Sequence, residues 1–282
     1  MKIGVAGCGF VGNAVVDGIT KLDPGHEFVK YDPYLFKDTK IDALKDCDMA
    51  FICVPTPMNG DGKMDDVCLR SVFGELSSIK YKGLCVIKST TIPSVVRRLI
   101  VDFKDLRIVT NPEFLTERTA LNDFINSKWV IIGGNIGDGR GIADENSKEL
   151  YNFFIRLWPN AKFSLIAADE AMMVKYMCNT WFAVKVSLIN EFYDLVERTG
   201  MDWDNVIKAF ATDERVGPTH LQCPGPDGDR GWGGKCFPKD LNALLYAMRQ
   251  LGIQRDVLEG AWSDNEHFRK NKDWLKIKWA TT

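Results

Sequence analysis

The sequence is poor in histidine and has no closely spaced cysteine pair. It contains three histidines in 282 residues, and its eight cysteines form no C-x-x-C motif. Because zinc sites are built from such residues at short spacing, we expect no metal site. An even number of cysteines does not predict disulfides in a chain of this length. Cys53 and Cys85 lie in apolar, strand-like runs that favour buried thiols, so we expect the cysteines to be reduced.

Neither sign of charge is in excess. The chain has 36 lysines and arginines against 38 aspartates and glutamates, a formal net charge of −2. This balance gives no support to nucleic acid or a membrane surface as a partner. The sequence has no apolar run long enough to cross a bilayer, and its first residues enter a strand-like run without a charged-then-apolar leader. We therefore expect a cytoplasmic protein.

Proline and glycine are absent from residues 168–199, and Gly200 follows. A stretch of this length without helix breakers, ended by glycine, predicts one long helix. The stretch is apolar on more than one face, which favours burial against a helical layer and against a second subunit. We therefore expect a homodimer formed through this helix.

The region before the long helix predicts a parallel sheet. Short apolar runs alternate with helical segments up to about residue 165, and several runs are continuously apolar, as in strands covered on both faces. The predicted fold is α/β: a Rossmann-type, doubly wound sheet over residues 1–165, then the long central helix and a small all-helical domain over 166–282. Further helices are predicted over 202–212, 239–252 and 255–278.

A glycine motif directly follows the first predicted strand. "GCGFVG" supplies Gly7, Gly9 and Gly12 in the G-x-G-x-x-G spacing and opens a helix. Asp32 ends the next strand, 20 residues after Gly12, where an acid accepts a hydrogen bond from a ribose 2′-hydroxyl. The glycines let backbone N–H groups and the helix N-terminus meet a pyrophosphate. We predict a dinucleotide site, with NAD favoured over NADP because the residue is an acid.

Several other polar residues have spacings typical of a site. Lys175 and Asn179 are four apart on the long helix and so share a face, and Thr90 follows a predicted strand, where ligands of doubly wound sheets bind. "GWGGKCFPKD", at 231–240, places Cys236 on a glycine-rich turn beside a lysine. From the residues alone, this last stretch is either a tight turn or a nucleophile site.

Taken together, these blocks resemble the nucleotide-sugar dehydrogenases, the family of UDP-glucose dehydrogenase. The matching blocks, in the family's order, are "GCGFVG", "VPTP", "KSTTIP", "NPEFL", "KYMCN", "DERVG" and "GWGGKCFPKD". The last block is the most specific, and the resemblance extends to about residue 265.

The resemblance implies NAD-dependent oxidation of a nucleotide sugar's primary alcohol to a uronic acid, a step of polysaccharide biosynthesis. A cysteine thiohemiacetal and a thioester are the implied intermediates. Cys236 is then the nucleophile, Lys175 and Asn179 stabilise oxyanions, and Asp240 holds the lysine or a water. Thr90 and Glu113 manage protons and the attacking water.

The resemblance also implies binding residues. Those for NAD, beyond the glycines and Asp32, are Val11, Lys37, Thr56, Thr90, Glu117 and Lys239. Those for the nucleotide sugar are Glu113, Phe114, Leu115, Lys175, Asn179, Gly233 and Arg215, the last being lent to the neighbouring subunit.

The family has a third, UDP-binding domain, which we expect this chain to lack because no strands are predicted after residue 165. Two alternatives remain open. One is a two-electron β-hydroxyacid dehydrogenase, which shares the lysine–asparagine pair but has no need of Cys236. The other is a non-catalytic NAD-binding partner of another chain.

Overall fold

The computed structural model describes residues 1–136 and 144–282. The chain divides into two compact units: an amino-terminal unit of Met1–Thr56 and Asp65–Lys175, and a helical unit of Pro57–Met64 and Tyr176–Thr282. Residues 57–64, which the sequence analysis assigned to the first domain, pack with the helical unit. The division into functional domains at residue 165 stays a prediction.

The amino-terminal unit is built on a seven-stranded sheet in its described residues. The strand order is β2-β1-β3-β4-β5-β6-β7, and every neighbouring pair is parallel except β5 and β6. The strands are β1 Lys2–Ala6, β2 Glu27–Tyr31, β3 Met49–Ile52, β4 Leu84–Ile87, β5 Arg107–Thr110, β6 Trp129–Gly133 and β7 Lys162–Ile166. The predicted doubly wound sheet is confirmed, and it ends at Ile166.

Helices cover the sheet and continue the chain after it. They are α1 Phe10–Leu22, α2 Val67–Ser78, α3 Pro93–Asp102, α4 Ala120–Ile125, α5 Glu145–Leu157, α6 Ala168–Arg198, α7 Trp203–Phe210, α8 Phe237–Gln250 and α9 Asp256–Phe268. The long helix predicted over 168–199 is therefore confirmed as α6. None of the described helices has the length and apolar character needed to span a bilayer.

The core of the amino-terminal unit lies between the sheet and its helices. The fully buried members include Ile3 and Val5 on β1, Phe51 on β3 and Phe154 on α5. The β3 and β4 strands are buried at every position, as expected of parallel strands covered on both faces. This packing fixes the carboxyl ends of the parallel strands, where the predicted site residues follow.

The helical unit has a separate core around Trp232. This ring packs with Ala183 of α6, with Leu241 and Leu245 of α8, and with Ala261 of α9. Its indole N–H donates a hydrogen bond of 3.0 Å to Ser187 Oγ. The turn before Cys236 is thus anchored through a buried tryptophan.

The last predicted helix, over 255–278, is too long. α9 ends at Phe268, and Arg269 has an extended backbone with φ −79° and ψ 114°. The Arg269 side chain is buried and binds Asn271 O, Asp227 and Asp273. These contacts outweigh the local preference for helix, because a buried guanidinium must be fully paired.

The last residues of the chain also pack within the helical unit. Beyond Arg269, Trp274 and Ala280 are buried, and Ala280 O accepts a hydrogen bond from the N–H of Met58.

Candidate active site

The glycine loop after β1 has an open face. Gly7 has φ +90°, and a Cβ there would lie 2.5 Å from Cys53 O; a Cβ at Gly12 would lie 2.1 Å from Gly7 O. The fold itself therefore requires these two glycines. A Cβ at Gly9 would meet no atom within 4 Å, so packing within the chain does not require a glycine at this position. The free space in front of Gly9 fits a ligand that approaches the backbone closely.

Helix α1 begins directly at this loop without a side-chain cap. Gly9 is the N-cap residue, it makes no side-chain cap hydrogen bond, and the first turn carries no acid. The first N–H groups of a helix lack partners within the helix, and together with the helix dipole they form an anion site. Val11 lies in this first turn. The loop and helix therefore fit a pyrophosphate, as predicted for a dinucleotide.

Asp32 joins the end of β2 to the glycine loop. Its Oδ2 accepts a hydrogen bond of 2.9 Å from Cys8 N–H, and its Oδ1 accepts bonds of 3.0 and 3.2 Å from the N–H groups of Tyr34 and Leu35. The carboxylate is partly exposed and has lone pairs beyond those used here. The structure therefore holds this acid beside the loop, while its bond to a ribose stays a prediction.

Other predicted cofactor residues follow the strands at the same sheet edge. Thr56 follows β3 and donates a hydrogen bond of 2.8 Å from Oγ1 to Thr90 O, which follows β4. Thr56 is buried, whereas Lys37 is exposed in a turn and Glu117 is exposed at the start of a short 3-10 helix, Glu117–Thr119. The roles of all four residues in cofactor binding stay predictions.

Lys175 and Glu113 form a buried ion pair. Lys175 Nζ lies 3.1 Å from Glu113 Oε1, and Glu113 Oε2 accepts a hydrogen bond of 2.7 Å from Leu115 N–H. Lys175 Nζ also lies 5.4 Å from the centre of the Phe114 ring, which packs on Trp129 at 4.1 Å between centroids. Glu113 therefore joins Lys175 and Leu115, and the Phe114 ring lies near the same ammonium, within the amino-terminal unit.

A cleft of about 360 Å³ opens beside Glu113. It is lined in part by Glu113, Phe114 and Lys88. The sequence pattern predicts no role for Lys88. Its Nζ donates a hydrogen bond of 2.8 Å to Asn111 Oδ1, and burial lowers its pKa to about 8. An ionisable residue placed directly after a buried strand was the signal that could have found it.

Cys236 lies immediately before α8, in the helical unit. It is the N-cap residue of the helix, is half-buried and is not in a disulfide. The partial positive charge of a helix N-terminus favours a thiolate over a thiol. The sequence predicts a helix only from residue 239, so it indicates the adjacent lysine and glycines but not that Cys236 stands directly at the helix start.

Asn179 and Asp240 meet in the same unit. Asn179 Nδ2 donates a hydrogen bond of 2.5 Å to Asp240 Oδ2, and Asp240 also pairs with Lys239. Asp240 is fully buried, and Asn179 and Lys239 are 6% and 8% exposed. Buried polar groups of this kind are costly unless they are paired, and here each has a partner.

Arg215 and Gly233 occupy different surroundings. The side chain of Arg215 is 90% exposed and pairs with Asp213, with Nη2 2.6 Å from Oδ2. Lys185 Nζ holds the same loop by donating to the carbonyls of Val216 and Gly217, each at 3.0 Å. Gly233 packs against the side chains of Asp273 and Arg269, which follow α9. The roles of Arg215 and Gly233 in substrate binding stay predictions.

The parallel sheet, the open glycine loop and the acid after β2 define an NAD-binding protein of the Rossmann type. Residues 26–155 match the NAD binding domain of the UDP-glucose/GDP-mannose dehydrogenase family, and residues 169–267 match the central domain of the same family. The chain belongs to this family. The predicted cofactor, NAD, is that of the family.

Curated relatives and solved structures are similar over most of this chain. The putative UDP-glucose 6-dehydrogenase YtcA of Bacillus subtilis is 28% identical, with 94% of this chain and 68% of the relative covered. UDP-glucose 6-dehydrogenase AglM of Haloferax volcanii is 30% identical, with 81% and 54% covered. The structure of a UDP-glucose dehydrogenase from Pyrobaculum islandicum has a TM-score of 0.80 at 26% identity, with 94% and 68% covered. The chain thus spans between about half and two thirds of the length of these relatives.

Proposed function

We propose that the chain oxidises the primary alcohol of a UDP-glucose-like nucleotide sugar to the carboxylate in two NAD-dependent steps, with Cys236 as the nucleophile. The observation that carries this proposal is the position of Cys236. Its thiol lies at the N-terminus of α8, four residues before Asp240, whose buried carboxylate accepts from Asn179. The family membership and the names of the relatives support the substrate class.

The chemistry requires a nucleophile only for the second oxidation. NAD, when bound, supplies the acceptor for one hydride in each oxidation. The alcohol loses a hydride and a proton to become an aldehyde, to which the Cys236 thiolate adds. The resulting thiohemiacetal loses a second hydride and becomes a thioester, which water hydrolyses to the carboxylate and the free thiol. Overall, one alcohol, two NAD⁺ and one water give one carboxylate, two NADH and three protons.

The chain's own residues have distinct roles in this proposal. The ammonium of Lys175 and the amide of Asn179 stabilise the oxyanions that develop on the substrate. Glu113, paired with Lys175, accepts the proton of the attacking water. Asp240 holds the Asn179 amide in place. Glu113, Phe114 and Leu115 line the cleft of the amino-terminal unit, which we assign to the sugar.

We also propose that the chain is a homodimer through α6. Five large apolar side chains are exposed along this helix at spacings of three, four and seven residues, which places them on one face. They are Met177, Trp181, Leu188, Phe192 and Leu195, with exposures between 41% and 65%. A contiguous apolar face of this kind is typical of a protein–protein contact. Arg215 is then available to the sugar site of the partner.

The proposal is tested with the Cys236→Ser variant. Serine forms an ester where cysteine forms a thioester, and the ester hydrolyses slowly, so a covalent sugar adduct accumulates. Intact-mass measurement after incubation with UDP-glucose and NAD detects this adduct. Cys178→Ser is the matched control, in which we expect no adduct. If Cys236→Ser carries no adduct and wild-type chain forms no carboxylate, the proposal fails. If the purified wild-type chain shows no turnover at all, the non-catalytic alternative is favoured.

A further inference from the structure

The glycine turn before Cys236 is held by two side chains from the end of the chain. Gly234 N–H donates to both carboxylate oxygens of Asp273, at 3.1 and 3.2 Å. Trp232 N–H donates a bond of 2.7 Å to Asn265 Oδ1, and Asn265 Nδ2 donates one of 3.0 Å to Trp232 O. Asp273 and Asn265 together therefore fix three backbone groups within the five residues that precede the thiol.

Arg269 fixes Asp273 in turn. Its side chain is 2% exposed, and Nη2 lies 3.2 Å from Asp273 Oδ2 and 2.7 Å from Asp227 Oδ2. Its Nε donates a bond of 2.9 Å to Asn271 O. Burial alone would raise the pKa of Asp227, but hydrogen bonds, foremost that from Arg269, hold the pKa below its usual value. The guanidinium therefore joins the loop before the turn to the segment after α9.

The glycines of the turn are shaped to these same side chains. A Cβ at Gly233 would lie 2.3 Å from Asp273 Oδ1 and 2.6 Å from Arg269 Nη2. Gly234 has φ +76°, a conformation that residues with a side chain rarely adopt. A side chain at Gly233 would displace the carboxylate that holds Gly234. The glycines before Cys236 thus serve a contact within this chain.

We propose that Asp273, supported by Arg269, is a positioning residue for Cys236: it holds the Gly233–Gly234 backbone so that the thiol stays at the start of α8. This inference rests on the proposed function, in which Cys236 is the nucleophile. Both residues lie beyond residue 267, where the match to the family's central domain ends. They touch neither the substrate nor the cofactor in this proposal and act through the turn.

The first test compares products in Asp273→Ala, Asp273→Asn and a control. Asp273→Ala removes the acceptor for Gly234 N–H, whereas Asp273→Asn keeps one oxygen. Glu266→Gln is the matched control, because Glu266 pairs with Lys272 in the same segment and is exposed. We expect Asp273→Ala to lower carboxylate formation from UDP-glucose at least tenfold and to release aldehyde, because the first oxidation needs no thiol. We expect Asp273→Asn to stay within threefold of wild type, and NAD affinity to change less than twofold in all variants.

The second test does not depend on turnover. Iodoacetamide modification of Cys236, resolved by mass spectrometry, reports access to the half-buried thiol, and Cys223, 6% exposed in the same unit, reports global opening. We expect Asp273→Ala to speed Cys236 modification at least threefold, with Asp273→Asn and Cys223 unchanged. If Cys223 also reacts faster, the comparison is repeated with Asp273→Gln, whose extra methylene displaces the acceptor from Gly234 without removing the polar group.

The two proposals fail differently. A wild-type rate of Cys236 modification together with a wild-type product ratio, in Asp273→Ala or in Asp273→Gln where that variant is needed, overturns the positioning role. One NADH per sugar from the wild-type chain overturns the four-electron function, while the modification rates still test the hold of Asp273 on the turn.

Discussion

The ammonium of Lys175 lies 3.1 Å from the carboxylate of Glu113, and the two side chains are 4% and 5% exposed. Each member of a buried ion pair needs the opposite charge of the other, since removing one partner leaves an uncompensated buried charge. Glu113 has a second donor in Leu115 N–H. The pair therefore fixes the orientation of an ammonium and a carboxylate that the proposed reaction uses.

Lys175→Ala is expected to reduce both oxidations. If the lysine stabilises oxyanions, kcat/KM falls by about 10²–10³, equivalent to ~2.7–4 kcal/mol. Steady-state kinetics with UDP-glucose measure this, and a thermal melt separates it from the loss of stability that comes from an unpaired Glu113. Lys148→Ala is the control, since Lys148 forms an exposed pair with Glu145, and this variant should leave kcat/KM unchanged. Wild-type kcat/KM in Lys175→Ala would exclude the assigned role.

Asp32 is expected to set the preference for NAD. Asp32→Ala should weaken NAD binding by about 1–2 kcal/mol, the usual contribution of a hydrogen bond to a charged group. Asp32→Asn keeps an oxygen that accepts a hydrogen bond from Cys8 N–H. This variant therefore distinguishes the loss of the charged ribose contact from a distortion of the glycine loop. Calorimetric titration with NAD and with NADP measures both effects. Equal affinity of the wild-type chain for NAD and NADP would contradict the assignment.

Lys88 is expected to make the free energy of unfolding increase with pH in the alkaline range. Burial lowers the pKa of Lys88 to about 8 from its ordinary value of 10.5. The charges of Cys53 and Glu113 partly offset this lowering, and the charge of Lys175 adds to it. Between these pH values the unfolded chain binds the proton and the folded chain does not, so stability rises with pH. The rise is on the order of 3 kcal/mol at 1.36 kcal/mol per pH unit.

The control for this pH dependence is Lys88→Met, which removes the titrating group. Denaturant unfolding of both proteins from pH 7 to 10 gives the difference in unfolding free energy. We expect wild type to gain stability relative to Lys88→Met above pH 8. A difference that stays constant across this range would show that Lys88 keeps an ordinary pKa in the folded chain.

Trp181 is expected to lie at the centre of a dimer contact. Its side chain is 65% exposed on α6, and replacing it with lysine places a charge in the proposed apolar interface, so Trp181→Lys should be monomeric. Val257→Lys is the control, since Val257 is an apolar residue 70% exposed on a different helix, α9. Analytical ultracentrifugation measures both. A monomeric wild type at the concentration of the assay would exclude the dimer.

Local signals sufficed for most of the fold. The apolar runs predicted the sheet, and a stretch free of glycine and proline, ended by Gly200, predicted α6. The predicted end of α9 was wrong because Arg269 is buried in an ion pair with Asp227, a residue distant from it in the sequence. The packing of residues 57–64 was not predicted for the same reason, since Thr282 Oγ1 donates a hydrogen bond to Asn59 Oδ1 from a position 223 residues away in the sequence.

The candidate site was predictable where motifs carry chemistry and not where partners are remote. The sequence identified Lys175 and Glu113 separately, and their ion pair appears only in the structure. Lys88 was not predicted, although it directly follows a buried strand at the start of "KSTTIP", because no spacing motif distinguishes it from a surface lysine. The hydrogen bonds from Gly234 N–H to the Asp273 carboxylate could not be predicted, since the two residues are 39 positions apart and no motif includes both.

The central claim is that Cys236 carries the acyl group, and the ratio of NADH formed to UDP-glucose consumed at completion tests it most directly. Wild type should form two NADH per sugar and a carboxylate. Cys236→Ala should form no carboxylate, with aldehyde as its slow product, because the first hydride transfer requires no sulfur. One NADH per sugar in wild type, or carboxylate formed at the wild-type rate by Cys236→Ala, would contradict the account.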